Sequence, residues 1–160
     1  MSKPSEQPGR VAVIGCGFIG RAWAISFARA GAEVRLWDHD EGAAERALDY
    51  VRNVLSELEH HDLLRGQSPN EVLNRIKTVT SLEVALQGAR HVQENTPEDL
   101  ATKIRVFEQL DALADTDAVI ASSTSALLPS RFTQGLKGRG RCLVVHPINP
   151  PYLVPAAEVV

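Results

Sequence analysis

The run VAVIGCGFIG sets Gly15, Gly17 and Gly20 at G-x-G-x-x-G spacing. The first glycine permits a tight turn, the second lets the backbone approach a pyrophosphate, and the third allows close helix–strand packing. An anion held there would rest on the N-terminus of the next helix, where free N–H groups and the helix dipole favour negative charge. The spacing alone is common. Here it follows an apolar β-branched run, opens a helical pattern, and is completed by Asp38, eighteen residues past Gly20 at the end of the next apolar run. A carboxylate at that point accepts hydrogen bonds from the ribose 2′- and 3′-hydroxyls and repels a 2′-phosphate, which favours NAD over NADP. The expected cofactor residues are thus Gly15, Gly17, Phe18, Ile19, Gly20 and Asp38. The alternatives are a glycine turn with no ligand and a merely solvated acid at the strand end.

These residues require a strand–turn–helix scaffold, and the rest of the chain supplies its continuation. Apolar runs of strand length alternate with longer segments of helical period, the signature of βαβ units around a parallel sheet. Strands are predicted at 10–15, 33–37, 76–79, 91–93, 119–122 and 142–146. Helices are predicted at 19–30, 41–64, 68–75, 81–87 and 97–113, with Gly31 capping the first and Pro97 opening the last. Ser68, Pro69 and Glu71 form a capping-box pattern at the start of the 68–75 helix. Residues 135–140 read as a basic, glycine-rich surface loop. The fold class that follows is α/β: a Rossmann-type, doubly wound, mainly parallel sheet with helices on both faces. Residues 1–9 read as a loose tail and 10–160 as the dinucleotide-binding domain. The chain ends at Val160 within the apolar run AAEVV, a pattern expected of a domain cut from a longer polypeptide.

Composition narrows the setting. At 160 residues, 44% hydrophobic and 23% charged, the chain has the make-up of one globular domain with a substantial core. A net charge of -3 offers no electrostatic reason to expect nucleic acid or an anionic membrane as partner. No apolar run approaches the ~20 residues that span a bilayer. The opening MSKPSEQPG has no apolar core of a signal peptide. The two cysteines, Cys16 and Cys142, suggest buried thiols in a reducing compartment rather than a disulfide framework or metal site, so a cytoplasmic setting is expected.

The second half carries a further pattern. His146 is followed by PINPPYLVPAAEVV, with Glu158 twelve residues on, and upstream stand SSTSALLPS and QENTPEDLATK. From Arg10 to Val160 the chain resembles the 3-hydroxyacyl-CoA dehydrogenase superfamily, more closely its lambda-crystallin branch, also called L-gulonate 3-dehydrogenase. The resemblance implies that His146 is the catalytic base and Glu158 the carboxylate that orients it. The chemistry is coherent. Oxidising a secondary alcohol removes the hydroxyl proton as hydride leaves, and imidazole has a pKa suited to that transfer. A carboxylate on the other ring nitrogen fixes the tautomer and stabilises the imidazolium. His39, His60, His61 and His91 lack such a context and read as surface or strand-end residues.

The resemblance further implies that Ser125 contacts the substrate oxygen or nicotinamide. Glu98 and Lys103 would line the ribose and nicotinamide side of the cofactor, and Asn149 would make a polar contact nearby. Each has a plainer alternative: helix-terminal charge for Glu98, pairing with Asp99 for Lys103, a cap for Ser125, and turn formation for Asn149. Acyl-CoA-specific members carry a lysine-rich helix facing the CoA phosphates; here the matching stretch is LSELEHHDLL, with Glu57, Glu59 and Asp62. His-Pro at 146–147 also replaces their usual aromatic. Both departures favour NAD-dependent oxidation of a small, L-gulonate-like hydroxy acid. 3-Hydroxyacyl-CoA and carnitine remain alternative substrates, and a non-catalytic, crystallin-like structural role is the alternative of another class. The family's helical C-terminal domain, absent from this chain, closes the cleft and forms a homodimer, so this domain alone is expected to bind NAD with little turnover.

Overall fold

A computed structural model describes residues 9–160, so all but Gly9 of the tail expected at 1–9 lies outside the described residues. Apolar β-branched residues build β1 (Arg10–Ile14), which is buried on both faces. Val11 and Val13 join the core on one side of the sheet, and Ala12 and Ile14 join the core on the other. The remaining strands are β2 (Val34–Trp37), β3 (Ile76–Thr78), β4 (Ala89–Glu94), β5 (Val119–Ser122), β6 (Cys142–Pro147) and β7 (Ala157–Val159). Their order is β3-β2-β1-β4-β5-β6-β7, with β1 to β6 parallel and β7 antiparallel to β6. Consecutive strands run outward in opposite directions from the β1/β4 junction. That is the switch point of a doubly wound sheet, where a crevice opens at the carboxyl ends of the strands.

Helices cover both faces. α1 (Phe18–Arg29), α2 (Ala43–His60) and α3 (Pro69–Leu73) lie on one side, where Ile25, Val51, Leu55 and Val72 pack against β1 and β2. α4 (Leu82–Leu86), α5 (Leu100–Leu113) and α6 (Pro129–Thr133) lie on the other, around Phe107, Leu110 and Phe132. The capping box at Ser68 and Glu71 forms with both of its hydrogen bonds. No helix among the described residues is long and apolar enough to cross a membrane.

Several boundaries depart from the sequence expectation. α2 stops at His60 rather than 64 because Asp62, Arg65 and Gly66 take left-handed conformations, with φ of 58°, 56° and 79°. α5 begins at Leu100 rather than Pro97, since the Asp99 carboxylate accepts the Thr102 N–H and caps it there. β4 extends over six residues, and α6 and a 3-10 turn at Arg139–Arg141 occupy stretches with no helical expectation. The AAEVV run, read only as an apolar chain end, forms β7. Its ladder continues to a Val144–Val160 pair joined by both backbone hydrogen bonds, at 2.8 and 3.0 Å.

Candidate active site

Two clefts open at the carboxyl ends of the parallel strands and share Asn95 and Thr96 in their walls. The larger, of about 570 Å³, lies between the glycine turn, the end of β2 and the start of α2. Gly15 turns the chain at a φ of +88°, and a Cβ there would stand 2.8 Å from the Asn95 backbone. At Gly20 a Cβ would stand 1.9 Å from the Gly15 carbonyl oxygen, so any side chain would force the turn off the helix. Gly17 differs. A Cβ there would meet nothing within 4 Å, so its surroundings are open space in the cleft wall. No side chain caps α1 and no acid stands in its first turn, which leaves its leading N–H groups for an anion. These features fit a dinucleotide's diphosphate.

Asp38 is fixed at the β2 end of this cleft. Its carboxylate accepts the Cys16 N–H at 2.7 Å and the Asp40 N–H at 3.0 Å, with His39 Nδ1 at 3.1 Å. Two backbone donors leave lone pairs for ribose hydroxyls. Cys16 is buried, and burial, then Asp38 and Glu45, push its thiol up to about 12, making it an inert neutral group.

The smaller cleft, of about 260 Å³, brings together Ile19, Glu98, Lys103, Ser125, His146 and Asn149. These come from four separated stretches of chain, and the sheet alone makes them neighbours. Glu98 accepts from the Thr124 hydroxyl and from the Ala126 N–H at 3.1 Å, clamping the loop that carries Ser125. Partial burial works to raise its pKa, but the Thr124 and Ala126 bonds and nearby Lys103 hold it below the usual carboxylate range. Ser125 and Asn149 are both exposed on the cleft wall.

His146 and Glu158 are directly opposed in the β6–β7 ladder, so their side chains share one face of the hairpin. His146 Nδ1 lies 3.7 Å from Glu158 Oε2, at ion-pair range and slightly beyond a hydrogen bond. With Nδ1 turned to the carboxylate, Nε2 is the nitrogen left for a substrate hydroxyl. Glu158 itself is 79% exposed and lines neither cleft. Twelve residues of intervening sequence are what two paired strands and their connection require.

Phe18 and Lys103 are set apart from the other expected cofactor residues. Phe18 lines neither cleft and is 80% exposed. Lys103 is 1% exposed, and its ammonium donates to Glu94 Oε1 and Oε2 at 2.8 and 2.9 Å and to the Thr96 carbonyl at 3.0 Å. Its three donors are taken up within the chain, so it lines the cleft as part of its floor. Its partner is Glu94, since Asp99 is committed to capping α5.

Glu94 was not anticipated from sequence. It is fully buried and also accepts from Ser122 Oγ at 2.6 Å and the Thr96 N–H at 2.6 Å. The available signal was a carboxylate in the run HVQE, where a strand buried on both faces admits a charge only if it is paired. Asn95 and Ser123 were likewise missed. Ser123 Oγ donates to Asn95 Oδ1 at 2.7 Å and accepts from Gln93 Nε2 at 2.8 Å and Trp23 Nε1 at 3.0 Å, which stiffens the wall between the clefts. Among the described residues no cluster of His, Cys, Asp or Glu could hold a metal ion.

Residues 10–160 match the family model described as 3-hydroxyacyl-CoA dehydrogenase, NAD binding domain. The chain is similar to a lambda-crystallin homolog of Bos taurus, 44% identical over 162 residues that take in 100% of this chain and 50% of that protein. It is 38% identical over 149 residues to an L-carnitine dehydrogenase of Pseudomonas sp, covering 93% of this chain and 45% of that one. Among solved structures, 3-hydroxybutyryl-CoA dehydrogenase from Escherichia coli K12 superposes with a TM-score of 0.88 at 28% identity, over 95% of this chain and 32% of that chain. The chain spans about half the length of the curated relatives it matches.

Proposed function

The chain belongs to the 3-hydroxyacyl-CoA dehydrogenase family as its NAD-binding domain, and from that premise we propose that it is the cofactor half of an enzyme oxidising the 3-hydroxyl of a small hydroxy acid. The observation that carries this reading is the direct opposition of His146 and Glu158 in the β6–β7 ladder, with His146 in the same cleft as Ser125 and Asn149. His146 Nε2 takes the hydroxyl proton of the substrate. Glu158, at ion-pair range of Nδ1, orients the ring and stabilises the imidazolium that forms. The Ser125 hydroxyl orients the substrate oxygen, the Asn149 amide makes a polar contact on the nicotinamide side, and Glu98 keeps the Ser125 loop in place. NAD held at the glycine turn and Asp38 would supply the hydride acceptor.

An L-gulonate-like or carnitine-like acid is the preferred substrate. The end of α2 bears Glu57 and Glu59, both exposed, and carboxylates there disfavour the phosphates of a CoA ester. A 3-hydroxyacyl-CoA substrate is the second reading, favoured by similarity to the 3-hydroxybutyryl-CoA dehydrogenase structure. The deciding measurement is NAD reduction with L-gulonate, carnitine and 3-hydroxybutyryl-CoA, in a polypeptide that joins this domain to the remaining half its relatives possess. Turnover should appear with a small acid and fall at least about a hundredfold in His146→Ala, the scale of a lost general base. Turnover with the CoA ester alone would reverse the substrate preference, and undiminished turnover of the variant would remove His146 from the chemistry.

A further inference from the structure

We propose that Arg21 is a ligand of the cofactor's diphosphate, acting beside the glycine turn as the cation that balances it; this rests on the NAD-binding reading above. Arg21 is the fourth residue of α1 and lines the larger cleft together with Gly15, Gly17 and Asp38. Side chains on a helix tilt toward its N-terminus, so the guanidinium is directed back toward the turn. It lies 4.4 Å from the Phe18 ring centroid, one turn earlier, and 3.6 Å from that of Tyr50 on α2. The two aromatic faces hold it in place and leave the edge of the guanidinium plane, which carries the N–H groups, for a ligand.

Three observations show that the cation lacks what it needs within the chain. Its Nε is buried with no hydrogen-bond partner, the one such side-chain atom among the described residues. No carboxylate pairs with it among those residues, whereas the cleft's other guanidinium, Arg46, is tied to Asp40 at 2.6 Å. It also stands one turn from the positive end of a helix that has no acid in its first turn, where a cation is disfavoured. Two negative charges placed over Gly17 would supply the missing counter-charge and offset the positive helix end. They would also need this cation, since Asp38 in the same cleft is itself an anion and repels them. Arginine suits the task because its planar fork meets two phosphate oxygens at once.

The test is calorimetric titration of the 160-residue chain and its Arg21→Met and Arg21→Lys variants with NAD, ADP and adenosine. In Arg21→Met, affinity for NAD and for ADP should fall about tenfold to a hundredfold, as expected for losing a charged hydrogen bond, while adenosine binding stays unchanged. Arg21→Lys keeps the charge and should retain ADP binding better than the methionine variant. Wild-type ADP affinity should also weaken as salt rises. Unchanged ADP and NAD affinities in Arg21→Met would overturn the proposal, as would a parallel fall for adenosine, which marks a structural role. Should Arg21→Met fail to fold, equal loss of ADP and adenosine binding in Arg21→Lys would overturn it too. A wild-type chain binding neither NAD nor ADP would instead remove the cofactor reading beneath it.

Discussion

His91 stands in β4 with its ring against Phe27, at 5.4 Å between centroids, and its Nε2 on Gln93 Oε1 at 2.9 Å. From sequence it reads as a surface or strand-end histidine; the fold places it within the strand with its ring half-buried. Burial lowers its pKa, and the weaker pull of the Gln93 bond does not restore it. A depressed histidine pKa means the unfolded chain binds the proton first as pH falls. The stability His91 contributes is therefore present above the ordinary histidine range and lost as pH drops through it toward the lower folded value. Thermal melts at about pH 7.5 and about pH 5.5 should show acid destabilisation, and His91→Gln should reduce that difference. An equal difference in both proteins would show that other groups carry it. Gln93 also donates to Ser123, so the protonation state of His91 bears on the wall between the two clefts.

At the scale of elements, the β1–turn–α1 unit separates two roles that one motif combines. Gly20 serves packing, because a Cβ there would collide with the Gly15 carbonyl. Gly17 serves access, because a Cβ there would meet only open space. Gly20→Ala should destabilise the chain by about 1–3 kcal/mol, the usual scale of overpacking, with about 2–4 °C lost from Tm per kcal/mol. Gly17→Ala should leave Tm near the wild-type value and still weaken NAD binding, since its methyl enters the cleft. Melting curves and NAD titrations on both variants test the division. A Gly17→Ala protein that binds NAD as well as wild type would show that the ligand keeps away from this backbone. The β6–β7 hairpin has a comparable division: backbone pairing fixes the register, and the register brings Glu158 to His146.

Across the whole molecule, the Glu94–Lys103 pair ties together β4, β5, α5 and the Thr96 segment that borders both clefts. Both residues are buried, so removing one partner strands a charge in the interior. Lys103→Met should cost about 3–5 kcal/mol, while Lys103→Met combined with Glu94→Gln should recover part of that loss. Urea denaturation of the two singles and the double measures the coupling. A double variant as unstable as the sum of its singles would mean that the charges act independently. Losing the pair should also loosen the Thr96 segment and with it the Glu98 clamp on the Ser125 loop.

The sequence by itself determined the βαβ order, the glycine turn, the acid at the end of β2 and the capping box before α3. These are local matters: periodicity, conformational freedom and short hydrogen bonds are written in neighbouring residues. It also carried the resemblance that singled out His146 and Glu158. Only the tertiary structure decided that these two face each other across a ladder, that Lys103 is neutralised by Glu94, and that Asp99 caps α5. It alone drew Arg21 between Phe18 and Tyr50. The reason is physical. A charged side chain's role depends on whether water, a partner or a ligand surrounds it, and in a parallel sheet those surroundings come from crossovers tens of residues away.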